Sequence, residues 1–256
     1  MTLHRLDDDA LARWPLPQPD PDGDKEARGR VLIVAGSREM PGAAVLAATA
    51  ALRAGAGKLV VATPHSAAPW VALAMPEARV IALTERDDGG PAAAGVEQLA
   101  DVARRADAVL VGPGMQPEDA LLDFTLALLP HLGDVPLLLD ACALPAVHEG
   151  PVRHSPGPVI VTPHLGEMAR LTGLDKERVR IEAPALAVQQ ARRWNAVVAL
   201  KGATTYIATP EGDTWQHEGG NIGLATSGSG DTLAGLITGL LARGATAAQA
   251  TAWGVA

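Results

Sequence analysis

Short apolar runs alternate with longer helical stretches over most of the chain. The runs are uninterrupted, and continuous apolar strands are typical of a sheet buried on both faces. Strand-like runs occupy residues 31–35, 59–62, 80–83, 109–111, 135–139, 159–161 and 197–200. Helical stretches occupy residues 43–54, 95–105, 117–129, 184–194 and 233–242. This alternation predicts an α/β protein in which helices cover both faces of a mostly parallel sheet, giving three α/β/α layers.

The two ends of the chain depart from this alternation. Residues 206–208 and 214–216 flank a favourable turn sequence, PEGD, and predict an antiparallel hairpin at the edge of the sheet. Near the N-terminus, prolines at positions 15, 17, 19 and 21 lie among aspartates, a pattern that disfavours helix and strand pairing alike. We therefore expect an N-terminal arm over residues 1–28 and one domain over residues 29–256.

The composition narrows the class of protein. Hydrophobic residues make up 48% of the 256, enough to bury a full core. The net charge of −8 argues against a nucleic-acid-binding protein, which carries a basic surface, and against a polybasic patch that binds anionic membranes. Cys142 is the single cysteine, which fits a reducing compartment. The acidic N-terminus resembles no signal peptide and no apolar stretch reaches the roughly 18 residues of a membrane span, so we expect a cytoplasmic protein.

The segment with the strongest chemical pattern is NIGLATSGSGDTLAG, residues 221–235. Its glycines let backbone amides approach a ligand, and the start of the following helix adds unpaired N–H groups and a positive dipole end. Together these features predict an anion hole at Gly228, Ser229 and Gly230. Asp231 then stands where a general base could take a proton from a nucleophile beside a phosphate. From local spacing alone, an aspartate that merely caps the helix is an equal alternative.

Five weaker segments also follow predicted strands. A glycine-bearing loop covers residues 36–44, and a Gly-Pro-Gly turn covers residues 112–114. Asp140 is a helix cap or a site residue. In TPHLGE, Thr162 is expected to cap a helix, which leaves His164 and Glu167 unexplained. Lys201 is a phosphate ligand or a solvated surface residue. Because the carboxyl ends of parallel strands share one edge of a sheet, all of these segments are expected to line one cleft.

The order of these motifs resembles that of a known family. GS-x3-PGAA, GPG, LLLDA-x-AL, TPHLGE, LKGATT and N-x-GLAT-x-G-x-GD-x-LAG occur in the order found in the NAD(P)H-hydrate dehydratases. The resemblance starts at about Gly29, and it implies a ribokinase-like fold without the epimerase domain that some members carry. It also implies that the C-terminal helix is incomplete, because the chain ends inside a segment that resembles a family helix.

The implied reaction repairs a damaged cofactor. The S epimer of NAD(P)H hydrate, NAD(P)HX, is phosphorylated by ADP and loses phosphate, giving NAD(P)H and AMP. The resemblance implies Mg²⁺ as cofactor with unknown ligands, a homotetramer, and cooperation with a separate NAD(P)HX epimerase. Ser227 and Ser229 depart from the usual GGTGD, and Cys142 stands where aspartate is usual, which puts in doubt a second carboxylate there.

The resemblance also implies roles for individual residues, taken position by position from the matching motifs. It makes Asp231 the catalytic base. The residues implied to bind the hydrated dinucleotide are Ala43, Gly114, His164 and Asp231. The residues implied to bind ADP and AMP are Lys201, Gly202, Ala203, Thr204, Thr205 and Gly230. Asn221 and Glu167 match motif positions whose roles stay open.

The sequence also allows two alternative hypotheses for the function. One is an ATP-dependent small-molecule kinase of the same superfamily, acting on a thiamine precursor, since a GxGD aspartate would serve either reaction. TPHLGE and LKGATT favour the dehydratase. The other is a non-catalytic nucleotide-sensing or interaction module on the same fold, which the presence of Asp231, Lys201 and His164 argues against.

Overall fold

A single sheet of ten strands forms the centre of the molecule in the computed structural model, which describes residues 3–256. The strands are β1 Leu3–Arg5, β2 Arg30–Val34, β3 Lys58–Pro64, β4 Arg79–Leu83, β5 Ala108–Val111, β6 Leu137–Leu139, β7 Val159–Val161, β8 Ala196–Leu200, β9 Thr205–Ala208 and β10 Thr214–His217. Their order across the sheet is β1-β10-β9-β8-β7-β6-β5-β2-β3-β4. Strands β2 to β8 are mutually parallel, whereas β9 and β10 form an antiparallel hairpin.

Helices cover both faces of this sheet. They are α1 Asp8–Ala12, α2 Pro41–Arg53, α3 Ala68–Ala74, α4 Ala100–Arg104, α5 Glu118–Leu128, α6 Gly150–Arg153, α7 Leu165–Thr172, α8 Lys176–Ile181, α9 Ala183–Trp194, α10 Ser229–Ala242 and α11 Ala247–Val255. Shorter 3₁₀ turns cover Ala93–Gln98, Leu129–His131, Ala141–His148 and Ile222–Leu224. The predicted three-layer α/β/α fold is confirmed, and each predicted strand overlaps an observed strand. Four of the five predicted helices overlap one observed helix each, whereas the stretch at residues 95–105 divides into the 3₁₀ turn Ala93–Gln98 and the helix α4.

Two hydrophobic cores lie on opposite faces of the sheet. Helices α1, α2, α3, α10 and α11 pack on one face, and α4 to α9 pack on the other. Helices α2 and α10 lie so close together at Gly235 that a Cβ atom there would be 2.1 Å from the Ala47 carbonyl oxygen. Only glycine permits this contact, so the contact fixes where the N-terminus of α10 lies above the sheet.

Part of the segment that the sequence assigns to an N-terminal arm, residues 3–14, packs against the domain. Strand β1 pairs in parallel with β10 and occupies the outer edge of the sheet, where the hairpin had been expected. Leu6 and Leu11 are buried, and the Trp14 ring stacks on Trp215 at 5.5 Å. The proline-rich stretch from residue 15 to residue 29 contains no helix or strand, because proline cannot donate a backbone hydrogen bond.

Within residues 3–256, no helix is both long enough and apolar enough to cross a membrane.

Candidate active site

The candidate site lies where the carboxyl ends of the parallel strands meet the N-terminus of α10. Asp140 follows β6, Thr162 follows β7, and Lys201 follows β8. These three strands are neighbours in the sheet, so the side chains after them converge.

Asp140 is the centre of a buried polar cluster. The residue is only 3% exposed, and its Oδ1 accepts hydrogen bonds from Thr162 Oγ1 at 2.6 Å and from Lys201 Nζ at 3.2 Å. Although Asp140 precedes a 3₁₀ turn, its side chain makes no capping hydrogen bond. The helix-cap alternative is therefore excluded, and the Asp140 carboxylate instead binds Thr162 and Lys201.

The prediction that Thr162 caps a helix is wrong. The Lys201 amide donates to the Pro163 carbonyl oxygen at 2.8 Å, and His164 bridges Lys201, so the ladder between β7 and β8 continues past Thr162. Helix α7 therefore starts only at Leu165, and its cap is His164. The Thr162 hydroxyl is left free to bind Asp140.

Asp231 lies in the first turn of α10 and does not cap it. The helix begins at Ser229 after the left-handed N-cap Gly228, so Asp231 is the third helical residue. Burial raises the pKa of the Asp231 carboxyl above its ordinary value, the negative charge of Asp140 raises it further, and Lys201 opposes both effects. A carboxylate with a raised pKa is a stronger base than an ordinary carboxylate, which suits it to accept a proton.

The backbone at the start of α10 supplies free donors. Ser229 N donates to the Thr226 carbonyl oxygen at 3.3 Å, but the N–H groups of Gly230 and Asp231 have no acceptor in the described part of the chain. A Cβ atom on Gly230 would lie 3.4 Å from Lys201 Nζ. The amides, the helix dipole and the ammonium group therefore act on the same small volume, which is favourable for a phosphoryl group.

A second group of candidate site residues lies between the adjacent parallel strands β2 and β5, whose following helices pack on opposite faces of the sheet. Helix α2, which follows β2, packs on one face, whereas α5, which follows β5, packs on the other. The loops after these two adjacent strands meet, because Gly36 N donates to the Pro113 carbonyl oxygen at 2.8 Å. Gly114 has a left-handed φ of 64°, and a Cβ atom there would lie 2.4 Å from Ala43 Cβ. Open α/β sheets bind ligands in a crevice of this kind.

His164 and Glu167 form a capping box at the start of α7. His164 Nδ1 accepts from the amides of Gly166 at 3.0 Å and Glu167 at 3.1 Å, so the ring proton must be on Nε2. Glu167 Oε2 in turn accepts from the His164 amide at 2.7 Å. The His164 side chain is 60% exposed, and its Nε2 lies 3.6 Å from Glu167 Oε1.

The remaining candidates lie in two turns. Gly202, Ala203 and Thr204 connect β8 to β9, and Thr205 opens β9 opposite His217. Asn221 caps the 3₁₀ turn that follows it, with Oδ1 accepting from the Gly223 amide at 2.8 Å. This cap gives Asn221 a structural role.

No group of three or more His, Cys, Asp or Glu side chains that could hold a metal ion occurs between Leu3 and Ala256. Two acids lie at the start of α10: Asp231 in its first turn, and Asp140, whose Oδ2 would lie 4.0 Å from a Cβ atom on Gly230 and whose Oδ1 pairs with Lys201. The donor set therefore does not form a metal cage made of protein ligands alone.

Comparison with known proteins identifies the family of the chain. A family model described as NAD(P)H-hydrate dehydratase matches residues 31–256. An ADP-dependent (S)-NAD(P)H-hydrate dehydratase from Xanthomonas campestris pv. campestris is 48% identical over 249 residues, which are 96% of this chain and 83% of that protein. The chain spans about half the length of the bifunctional NAD(P)H-hydrate repair enzymes that it also matches.

Solved structures show the same likeness. The ADP/ATP-dependent NAD(P)H-hydrate dehydratase from Bacillus subtilis, co-crystallized with ATP/Mg²⁺, has a TM-score of 0.82 and 32% identity, covering 100% of this chain and 87% of that one. A ribokinase-like superfamily protein from Enterococcus faecalis has a TM-score of 0.80 and 27% identity, covering 99% and 84%. The expected ribokinase-like fold is confirmed.

Proposed function

The chain belongs to the NAD(P)H-hydrate dehydratase family, and we propose that its site converts the S epimer of NAD(P)H hydrate back to NAD(P)H while ADP becomes AMP and phosphate. The observation that carries the proposal is the convergence of Asp231, Lys201 and the free amides of α10 on one volume. This arrangement joins a base to a phosphoryl-binding site, which phosphorylation of a hydroxyl group requires.

In the first step, the ring hydroxyl attacks the terminal phosphorus of ADP. Asp231 takes the hydroxyl proton while the bond between phosphorus and the bridging oxygen breaks, and AMP leaves. In the second step, the carbon–oxygen bond of the new phosphate ester breaks, and phosphate leaves with the bonding electrons. A ring proton is then lost, which restores the double bond. Phosphorylation is needed because hydroxide is a poor leaving group and phosphate is a good one.

The free amides of Gly230 and Asp231 bind the phosphoryl group during its transfer, whereas the Ser229 amide of the predicted anion hole already donates to the Thr226 carbonyl oxygen. Such preorganised donors stabilise developing charge at no reorganisation cost. Lys201 adds a positive charge that Asp140 and Thr162 hold in place. A partly buried lysine that is paired in this way is a point charge of fixed position, which suits a phosphate ligand.

The two substrates occupy opposite sides of Asp231. ADP lies on the side of the turn formed by Gly202, Ala203, Thr204 and Thr205, together with Lys201 and Gly230. The hydrated dinucleotide lies against Ala43 and Gly114 at the crevice, with His164 donating from Nε2. Glu167 fixes the His164 backbone through the capping box.

Mg²⁺ belongs to the proposal only as a companion of the ADP phosphates. Mg²⁺ commonly keeps several waters and binds substrate phosphates with few protein ligands, so the absence of a three-residue cluster among residues 3–256 does not conflict with it. No step above is assigned to the metal.

A panel of acceptors and donors tests the proposal. Hydrated NADH, hydrated NADPH, a hydroxymethylpyrimidine and a hydroxyethylthiazole are each incubated with ADP or ATP. We expect a reduced nicotinamide product from the two hydrates, with ADP as donor. Phosphorylation of a thiamine precursor by ATP without repair of either hydrate would establish the kinase alternative instead. Repair with ATP alone would keep the reaction and change the donor.

The assembly and location of the protein extend the proposal. We propose a homotetramer, which multi-angle light scattering tests by mass. We also propose that the enzyme works in the cytoplasm with a separate epimerase. Adding an NAD(P)HX epimerase to the assay should raise the repaired fraction of a mixed-epimer substrate from about half to nearly all.

A further inference from the structure

The loop after β2 carries an arginine that no step of the proposed reaction uses. The side chain of Arg38 is 76% exposed, and its guanidinium makes no hydrogen bond within the described residues. Its ion-pair contact is to Glu85, at 4.0 Å between Nη2 and Oε1. Because a guanidinium has five N–H donors, its donors remain free for a ligand.

Glu85 is itself held in place. Its two carboxylate oxygens accept from the Ser66 amide at 2.8 Å and from the Ser66 hydroxyl at 3.0 Å, and its side chain is only 14% exposed. Ser66 follows β3, and Glu85 follows β4. The fixed carboxylate therefore biases the Arg38 guanidinium toward the carboxyl ends of β3 and β4, beyond the crevice that contains Ala43 and Gly114.

The topology places this guanidinium where the dinucleotide has to extend. Lys201 follows β8 and Arg38 follows β2, four strand positions away, which corresponds to ~19 Å. If ADP lies toward β8 and β9, the hydrated ring meets it at Asp231. The rest of the dinucleotide then runs the opposite way, past Gly114 and toward β2 and β3.

The negative charge of the dinucleotide favours a cation on this path. The substrate carries at least two phosphate charges, while the chain has a net charge of −8. Resting on the proposed function, we propose that Arg38 binds a phosphate group of the dinucleotide and so contributes to substrate specificity. The phosphate belongs either to the pyrophosphate, which both substrates have, or to the 2′-phosphate of the NADPH form.

Three variants test this assignment. Arg38→Ala removes the donors, Arg38→Lys keeps the charge but loses the planar fork, and Arg53→Ala is a control in the last turn of α2, at the far end of that helix. The kcat/KM values for hydrated NADH and hydrated NADPH are measured with saturating ADP. We expect Arg38→Ala to lose about 10- to 100-fold, the scale of a hydrogen bond to a charged group, mostly in KM. Arg38→Lys should lose less, and Arg53→Ala should match the wild type.

The pattern across the two substrates identifies the phosphate. An equal loss with both hydrates assigns Arg38 to the pyrophosphate, and a loss with hydrated NADPH alone assigns it to the 2′-phosphate. Wild-type values for Arg38→Ala with both hydrates would overturn the inference. The binding of NADH and NADPH to the wild type and to Arg38→Ala, measured by nucleotide fluorescence, tests this inference without requiring the repair reaction. A protein that binds these nucleotides through Arg38 but repairs neither hydrate would refute only the proposed function.

Discussion

Replacing Lys201 by methionine should destabilise the fold through the carboxylate that it leaves behind. Lys201 Nζ lies 3.2 Å from Asp140 Oδ1, and the exposed fractions of the two side chains are 19% and 4%. Removing one partner of a buried ion pair typically costs about 3–5 kcal/mol, because the other charge stays in a poorly solvated place. The Thr162 hydroxyl still donates to Asp140 at 2.6 Å, so we expect the lower end of this range, about 3 kcal/mol.

Thermal unfolding measures this effect. For a chain of this size, about 3 kcal/mol corresponds to a fall in Tm of roughly 6–12 °C. The double variant Asp140→Asn/Lys201→Met should regain most of the loss, since asparagine keeps an acceptor for Thr162 without the charge. Lys58→Met is the matched control, because its partner Glu26 is exposed and pairs of that kind often contribute nothing measurable.

Two results would refute this reasoning. Equal Tm values for Lys201→Met and the double variant would show that no uncompensated charge at Asp140 causes the loss. A Tm for Lys201→Met that matches the Lys58→Met control would show that the pair behaves as a surface pair. Repeating the melts at high salt adds a check, because a buried pair is screened much less than an exposed one.

Other substitutions separate catalysis from structure. Asp231→Asn should lower kcat at least about 10²-fold, the scale of general-base removal, and keep ADP binding; kcat/KM of the wild type should rise with pH as Asp231 ionises. Folding raises the pKa of Asp231, so the native state holds this proton more tightly than the unfolded chain does. The stability of the wild type relative to Asp231→Asn should therefore fall as the pH rises from the ordinary carboxyl range through the raised pKa. Thermal melts at a series of pH values measure this difference. Gly114→Ala should raise KM for the hydrate and lower Tm more than Gly133→Ala, because both glycines have positive φ but only a Cβ atom at Gly114 meets another residue, Ala43 at 2.4 Å. His164→Ala should lower the free energy of unfolding by about 1 kcal/mol through loss of the α7 cap, and His164→Asn should restore it. Both variants should raise KM if the imidazole binds substrate. A full rescue of KM by asparagine would show that His164 acts only as a cap.

Much of the fold could be predicted because the parallel strands are buried on both faces. Their uninterrupted apolar runs are visible in the sequence, and each prediction overlaps the observed strand. Strand β1 has three residues, too few for any period to appear, and it exists only because the edge of β10 is available for pairing. That availability depends on the complete sheet.

The candidate site could be located from the sequence, but its hydrogen bonds could not. The rule that parallel strands end at one edge is enough to bring Asp140, Thr162 and Lys201 near each other. Which of them bind depends on β6, β7 and β8 being neighbours in that order, and the sequence does not give the order. Thr162 illustrates this limit: Thr-Pro is a favourable helix start, yet the ladder between β7 and β8 continues to His164 and moves the start.

One reaction mixture tests the central claim most directly. Purified protein, enzymatically hydrated NADH, Mg²⁺ and ADP are combined, and three products are measured in the same sample: reduced nicotinamide by absorbance, AMP, and inorganic phosphate. The account predicts that all three appear together in equal amounts, and that Asp231→Asn forms none of them at a comparable rate. Recovery of reduced nicotinamide without AMP, or AMP and phosphate without recovery, would contradict the coupling of phosphoryl transfer to dehydration at this site.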